Sequence, residues 1–168
     1  MAARSAIINV MTRAAEKAGK ALVRDFGEVE QLQVSRKGPA DFVTSADKRT
    51  ERILIEELSK ARPGYGFLGE EGGAVSGADM THRFIIDPID GTRNFAEGLP
   101  MWTTLIALKV GTQVQLGVAD APALQERSWA SRGQGAYLND QRIHVSAVDS
   151  LADAFVLHAS VEEFVADG

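Results

Sequence analysis

Two aspartates stand three residues apart at the end of an apolar run in the stretch FIIDPIDGTRNF, Phe84 to Phe95. Asp87 follows Phe84-Ile85-Ile86, Pro88-Ile89 come between, and Asp90 leads into Gly91-Thr92. Glu70 follows another apolar run, YGFLG, and Asp47 stands at a predicted helix start. Four carboxylates drawn to one sheet edge repel one another and raise each other's pKa, and a divalent cation removes that conflict. Hard oxygen ligands of this kind suit Mg²⁺, which keeps waters and bridges to phosphate oxygens. Pro88 fixes its φ and removes a donor, so it is expected to end the strand and bend the chain. The bend would turn Asp87 and Asp90 to one spot, with the Ile89 carbonyl between them. Gly91 permits close backbone approach, and Thr92 leads a short helix to Glu97 whose N-terminal N–H groups suit an anion such as phosphate.

Each piece also has a plain structural reading. TSAD, Thr44 to Asp47, is a capping box, and on that spacing alone a capping role for Asp47 is the simpler account. Glu70-Glu71 fits a solvated loop, DPIDG fits turn chemistry, and Lys37 before Gly38-Pro39 fits an exposed loop lysine. The GQG at Gly133 to Gly135 reads as a turn. His82, His144 and His158 have no second histidine at ligand spacing, and no nucleophile-elbow pattern accompanies the serines.

The elements that must position these acids follow from periodicity. Ile7, Met11, Ala14, Ala18 and Leu22, widened by Ile8 and Ala15, predict an amphipathic helix from about Ala3 to Asp25, ended by Gly27. VEQLQVSRK alternates and predicts a strand, and KGPAD predicts a loop. A second helix is expected from Thr44, with Leu54, Leu58 and Ala61 as its stripe and Pro63-Gly64 as its stop. YGFLG and RFII predict strands. MWTTLIALKV and VQLGVAD predict a hairpin about Gly111-Thr112, and ERSWASRG and GAYLN two further strands. SVEE, Ser160 to Glu163, is a capping box for a helix too short to be stable alone. The order of elements implies an α+β fold with layered helix and sheet. The expected organisation is one unit, residues 1–168, incomplete at its C-terminal side.

Composition narrows the function classes. The 168 residues are 45% hydrophobic and 24% charged, which supports one globular core. The net charge is −5 without a basic block, which argues against a nucleic-acid surface. There is no cysteine, so neither disulfides nor thiolate metal sites arise, and a cytoplasmic location is compatible. The N-terminus lacks a signal-peptide pattern, and no apolar run is long enough to span a bilayer.

Taken together, KGPADFVTSAD, FLGEEGG, FIIDPIDGTRNF and GQGAYLNDQRIHVS resemble, in order, the motifs of the inositol monophosphatase family of Mg²⁺-dependent phosphomonoesterases. The resemblance implies the sugar-phosphatase fold of that family, here its N-terminal portion without the C-terminal α/β portion. It implies that Glu70, Asp87, the Ile89 carbonyl and Asp90 hold two or more Mg²⁺ ions. It implies that Gly91 and Thr92, with Asp90, hold the phosphate, that Thr92 and Asp47 with Glu70 serve the attacking water, and that Lys37 lies near the active site. A small phosphate monoester as substrate and a homodimer for the full-length protein are implied in the same way. The stretch up to about Phe84 looks like bacterial inositol monophosphatases, whereas the later part looks more like the histidinol-phosphatase branch. The family's Trp-Asp motif is missing, since Trp102 and Trp129 are followed by Thr103 and Ala130. A non-catalytic fragment that binds metal or a partner therefore stands as the alternative to a phosphatase.

Overall fold

The computed structural model describes residues 5–32 and 39–156. Lys37, His158 and the expected helix start at Ser160 lie outside the described residues. The fold is α+β: two long helices on one face of a single eight-stranded sheet, with a short helix at the sheet's edge.

Helix α1 spans Ala6–Leu32, longer than the periodicity up to Asp25 suggests. The strand expected from Val29 is helix as far as Leu32, because Val29 continues the buried stripe seven residues after Leu22. Both are fully buried, with Ile89, Phe95 and Trp102 in the same cluster. Burying such a valine contributes about 1.5–3 kcal/mol. The interior glycine, Gly27, costs only about 1 kcal/mol and faces open space. The helix therefore runs through it.

Helix α2 spans Pro39–Ala61 and starts five residues before the expected Thr44. Proline suits a helix's first turn, where its missing N–H leaves no bond unmade, so the expected loop at KGPAD is helical from Pro39 on. Thr44 is consequently in the second turn and is not an N-cap. Asp47 is a mid-helix residue, only 4% exposed, and the capping-box reading of it does not hold.

The strands are β1 Tyr65–Gly69, β2 Gly73–Val75, β3 Asp79–Asp90, β4 Thr103–Val110, β5 Gln113–Ala121, β6 Glu126–Ser131, β7 Gly135–Leu138 and β8 Gln141–Ile143. Their order across the sheet is β2-β1-β3-β4-β5-β6-β7-β8. From β3 onward the sheet is an antiparallel meander, and β1 and β3 are its one parallel pair among the described residues. Ile8, Met11, Ala14 and Ala18 of α1 and Leu54 and Leu58 of α2 pack on Phe67, Phe84, Ile86, Ile106, Val118 and Trp129. The short helix α3, Thr92–Ala96, is fastened by Phe95, whose ring lies 5.0 Å from that of Trp102 and 5.4 Å from that of Phe26.

Alternate residues of the same strands form the other face, where Ile85, Leu105, Ala107, Ala119 and Ala130 line an apolar hollow. Contiguous apolar surface of this kind recruits other molecules. The 168-residue chain on its own is therefore expected to bind an apolar fluorescent dye and to self-associate as concentration rises. Dye titration with sedimentation velocity checks this, and a dye-silent monodisperse monomer contradicts it. No helix among the described residues is long and apolar enough to cross a membrane.

Candidate active site

Parallel pairing of β1 with β3 sets the site's geometry. Gly69 registers with Ile86, so the two strands carry Glu70 and Asp87 side by side where they pass the sheet's edge. The Glu70 N–H donates to the Ile86 carbonyl at 3.2 Å, which fixes that register.

β3 does not stop at Pro88. It continues to Asp90 through a bulge, since Asp87 pairs with Leu105 and Asp90 with Thr103. Three residues of β3 thus span two of β4. A regular strand would put residues three apart on opposite faces. The bulge brings Asp87 and Asp90 to the same side, and it is also where a proline without an N–H fits inside a sheet. The Thr104 hydroxyl donates to the Pro88 carbonyl at 2.8 Å and holds the bulge in place.

Gly91 has φ 90°, in the left-handed region, and turns the chain into α3. A Cβ at Gly91 would lie 2.9 Å from the Met101 carbonyl oxygen, so backbone conformation and space both demand glycine there. Gly91 is the helix's N-cap and Thr92 its first residue. The Thr92 hydroxyl donates to the Ile89 carbonyl at 3.0 Å, which leaves its oxygen lone pairs able to accept.

Asp47 reaches this edge from α2. Burial first, then repulsion from Glu71, Glu70, Asp87 and Glu51, pushes its carboxyl up to about 7. Asp87 is also pushed up to about 7, by burial, by its hydrogen-bonded contact with Glu70 and by the Glu70 and Asp90 charges, with the Ile89 N–H opposing. One oxygen of each, Asp47 Oδ1 and Asp87 Oδ1, is buried with no hydrogen-bond partner. Asp90 is exposed, its Oδ2 3.4 Å from the Thr103 hydroxyl. The structure therefore brings Asp47, Glu70 and Asp87 together, with Asp90 beside Asp87. Among the described residues, no group of three or more His, Cys, Asp or Glu side chains is placed to hold a metal ion as the structure stands.

One member of the cluster is not evident from motif reading. Glu51 lies one turn after Asp47 on α2 and is 4% exposed. Its carboxylate accepts the N–H groups of Glu71 at 2.9 Å and Gly72 at 2.8 Å. The signal was present in the Asp47-Lys48-Arg49-Thr50-Glu51 spacing, which stacks two acids on one helix face beside apolar positions. Two further acids are buried: Asp25, paired with Arg49, and Asp120, whose Oδ1 accepts from Arg127 Nε at 2.7 Å while its Oδ2 is buried with no hydrogen-bond partner.

The sequence profile described as the inositol monophosphatase family matches residues 3–165. The chain is 54% identical over 154 residues to the inositol-1-monophosphatase of Rhizobium meliloti (strain 1021), covering 92% of this chain and 58% of that protein. It is 35% identical over 145 residues to the Nus factor SuhB of Escherichia coli (strain K12), covering 86% of this chain and 54% of that one. Among solved structures, the extragenic suppressor protein suhB of Bartonella henselae superposes with TM-score 0.77 at 53% identity, over 86% of this chain and 56% of that one. An IMPase of Thermotoga maritima gives TM-score 0.73 at 34% identity, over 85% and 55%. The chain thus spans between half and three-fifths of the length of these relatives. With the profile matched across nearly all its residues and the fold shared with solved members, the chain belongs to the inositol monophosphatase family.

Proposed function

We propose that the protein this chain represents hydrolyses a small phosphate monoester, with inositol monophosphate the favoured substrate, in a Mg²⁺-dependent reaction. The observation that carries the reading is the pair of buried, unpartnered carboxylate oxygens on Asp47 and Asp87, in a cluster whose members raise each other's pKa. Unpaired buried anions are costly unless a cation meets them, so the donor set fits a divalent ion. Glu70, Asp87, the Ile89 carbonyl and Asp90 would hold it. When bound, Mg²⁺ acidifies a water and stabilises developing negative charge on phosphate and leaving oxygens.

The chain's own groups account for the rest. Asp47, held by α2 beside Glu70 and Asp87, would accept a proton from a water. Thr92, its hydroxyl already anchored to the Ile89 carbonyl, offers a lone pair to orient that water. The first-turn N–H groups of α3 lack intrahelical partners and would be available to a phosphate bound at the corner that Gly91 makes. Positioning and preorganised charge are what phosphoryl transfer needs from a protein.

The relative named inositol-1-monophosphatase is matched over 154 residues, which takes in the later part of the chain as well, and this weighs toward inositol over histidinol phosphate. Phosphate release measured with each substrate, with and without Mg²⁺, tests the reading. The assay is run on this chain and on the chain extended to its relatives' length. No Mg²⁺-dependent release from either, with either substrate, overturns it. A cytoplasmic location and a homodimer of the full-length protein belong to the same proposal.

Thr92→Ala is expected to cost about 1 kcal/mol through its lost hydrogen bond and to slow turnover by roughly 10²-fold, with Mg²⁺ uptake unchanged. Because Gly91 holds the N-cap position, no capping loss enters. Melting temperature and kinetics on the same variant check it. Normal turnover by the folded fraction would show the hydroxyl to be structural only.

A second reading has its own support. The relatives include proteins named Nus factor SuhB, a name that is not that of a hydrolase. On that reading this chain binds a cation or a partner without turnover, and silence of the unextended chain alone in the assay favours it.

A further inference from the structure

We infer that Glu51 is a positioning residue: it grips the β1–β2 turn by two backbone N–H groups and thereby holds Glu70 against Asp87, two of the proposed cation ligands. The inference rests on the cation reading of the site and goes beyond it by assigning a role to a residue outside the ligand set.

The turn is the three-residue loop Glu70-Glu71-Gly72 between β1 and β2, with Gly69 paired to Gly73 at its base. Gly73 has φ 69°, the left-handed residue that closes three-residue hairpins. A turn at the end of a three-residue edge strand has little of its own to fix it. Glu51 supplies the missing restraint from α2, a 23-residue helix packed in the core. Its two oxygens are separately occupied, Oε2 by the Glu71 N–H at 2.9 Å and Oε1 by the Gly72 N–H at 2.8 Å. With both oxygens committed and the side chain 4% exposed, Glu51 is built in as a brace rather than left free as a ligand. Hydrogen bonds from N–H groups to an ionised carboxylate are stronger than neutral ones.

The glycines around the brace fit the same purpose. A Cβ at Gly69 would come within 2.4 Å of the Glu51 carboxylate, and one at Gly72 within 2.7 Å of its Oε1. Both positions are kept bare so that the carboxylate can enter the turn. The arrangement also accepts an electrostatic cost, since the Glu51 charge is among those that push the Asp47 carboxyl up. A fourth or fifth acid in an already repulsive cluster is disfavoured unless its contacts compensate. The two turn N–H groups are those contacts. Partners that orient metal ligands typically change affinity by about 10–100-fold when removed.

The experiment has two arms on the parent, Glu51→Gln, Glu51→Asp and Gly69→Ala. The first is amide hydrogen exchange in the metal-free protein. Glu51→Gln is expected to speed exchange at Glu71 and Gly72 by about tenfold or more while core amides of α2 and β3 stay protected. The second is Mn²⁺ titration followed by electron paramagnetic resonance, in which Glu51→Gln is expected to weaken uptake by about 10–100-fold. Glu51→Asp keeps the charge on a side chain one methylene shorter, so it is expected to fail like Glu51→Gln. Gly69→Ala, which pushes the carboxylate out of the turn, is expected to copy both. Unchanged exchange and Mn²⁺ uptake in Glu51→Gln overturns the inference. Parent-like behaviour of Glu51→Asp overturns it too, by showing that charge and not grip is what matters. A parent that takes up no Mn²⁺ overturns the cation reading and the cation half of this inference, and the exchange arm then decides whether Glu51 braces the turn.

Discussion

Asp47→Asn is expected to lower phosphate release by roughly 10²–10⁴-fold and, in the metal-free protein at pH 8, to leave the fold no less stable than the parent's. The two effects have one cause. Asp47 is buried against Glu70, Glu71, Asp87 and Glu51, with one oxygen unpartnered, and its carboxyl is pushed up to about 7 from an ordinary value of 3.8. The folded state therefore binds a proton that the unfolded chain has already released. Between about pH 4 and pH 7 the native state holds more protons, so stability falls as pH rises through that window. Asp47 contributes stability that is fully present below the unfolded pKa and lost once pH passes the folded one. Asp87, shifted in the same direction, adds to the same slope. Asparagine keeps the shape without the charge, so the stability–pH profile flattens in part while the proton acceptor is gone. Melting curves from pH 5 to 8 without metal, set beside turnover with Mg²⁺, measure both. A variant that loses stability at pH 8 and keeps turnover shows that Asp47 is a structural acid. Adding Mg²⁺ to the parent should restore stability at pH 8 far more than at pH 5, because only the ionised cluster offers the cation its charges.

Asp90→Asn is expected to abolish measurable Mg²⁺-dependent release, a loss of about 10²-fold or more, with little change in melting temperature. Asp90 is exposed, and its side-chain bond from the Thr103 hydroxyl is long at 3.4 Å, so the folded state loses little when its charge goes. Its place beside Asp87 is set by the β3 bulge, not by its own contacts, so the asparagine variant keeps the backbone arrangement. The substitution has a second, independent readout. Asp90 repulsion is among the causes that raise Asp87, after burial and Glu70. Removing it should move the Asp87 titration down in a metal-free NMR experiment. Near-normal turnover at moderate Mg²⁺ refutes the ligand assignment. An unmoved Asp87 titration refutes the proximity on which it rests. Glu70→Gln belongs to the same test. It should raise the Mg²⁺ requirement, and a titration that overlays the parent's makes Glu70 a loop acid.

The sequence by itself determined the parts of this protein that rest on local pattern. The apolar stripe of α1 from Ile8 to Leu22, the stop of α2 at Pro63-Gly64 and the Gly111-Thr112 hairpin are written in spacings that few other structures satisfy. The residues proposed for the site were legible too, because carboxylates at strand exits beside a Gly-Thr corner stand out by type and spacing. Tertiary structure decided what depends on partners distant in the chain. α1 runs through Gly27 because Val29 finds Phe95 and Trp102, more than sixty residues away in sequence. Asp47 stopped being a cap once the helix began at Pro39, and burial beside Glu70 and Asp87 then set its proton affinity. The alternation rule would separate Asp87 and Asp90, and only pairing with β4 reveals the bulge that reunites them. Glu51 carried no motif at all. Its role exists only where α2 lies under the β1–β2 turn, because a hydrogen bond to a backbone N–H is recorded in positions and not in side-chain types.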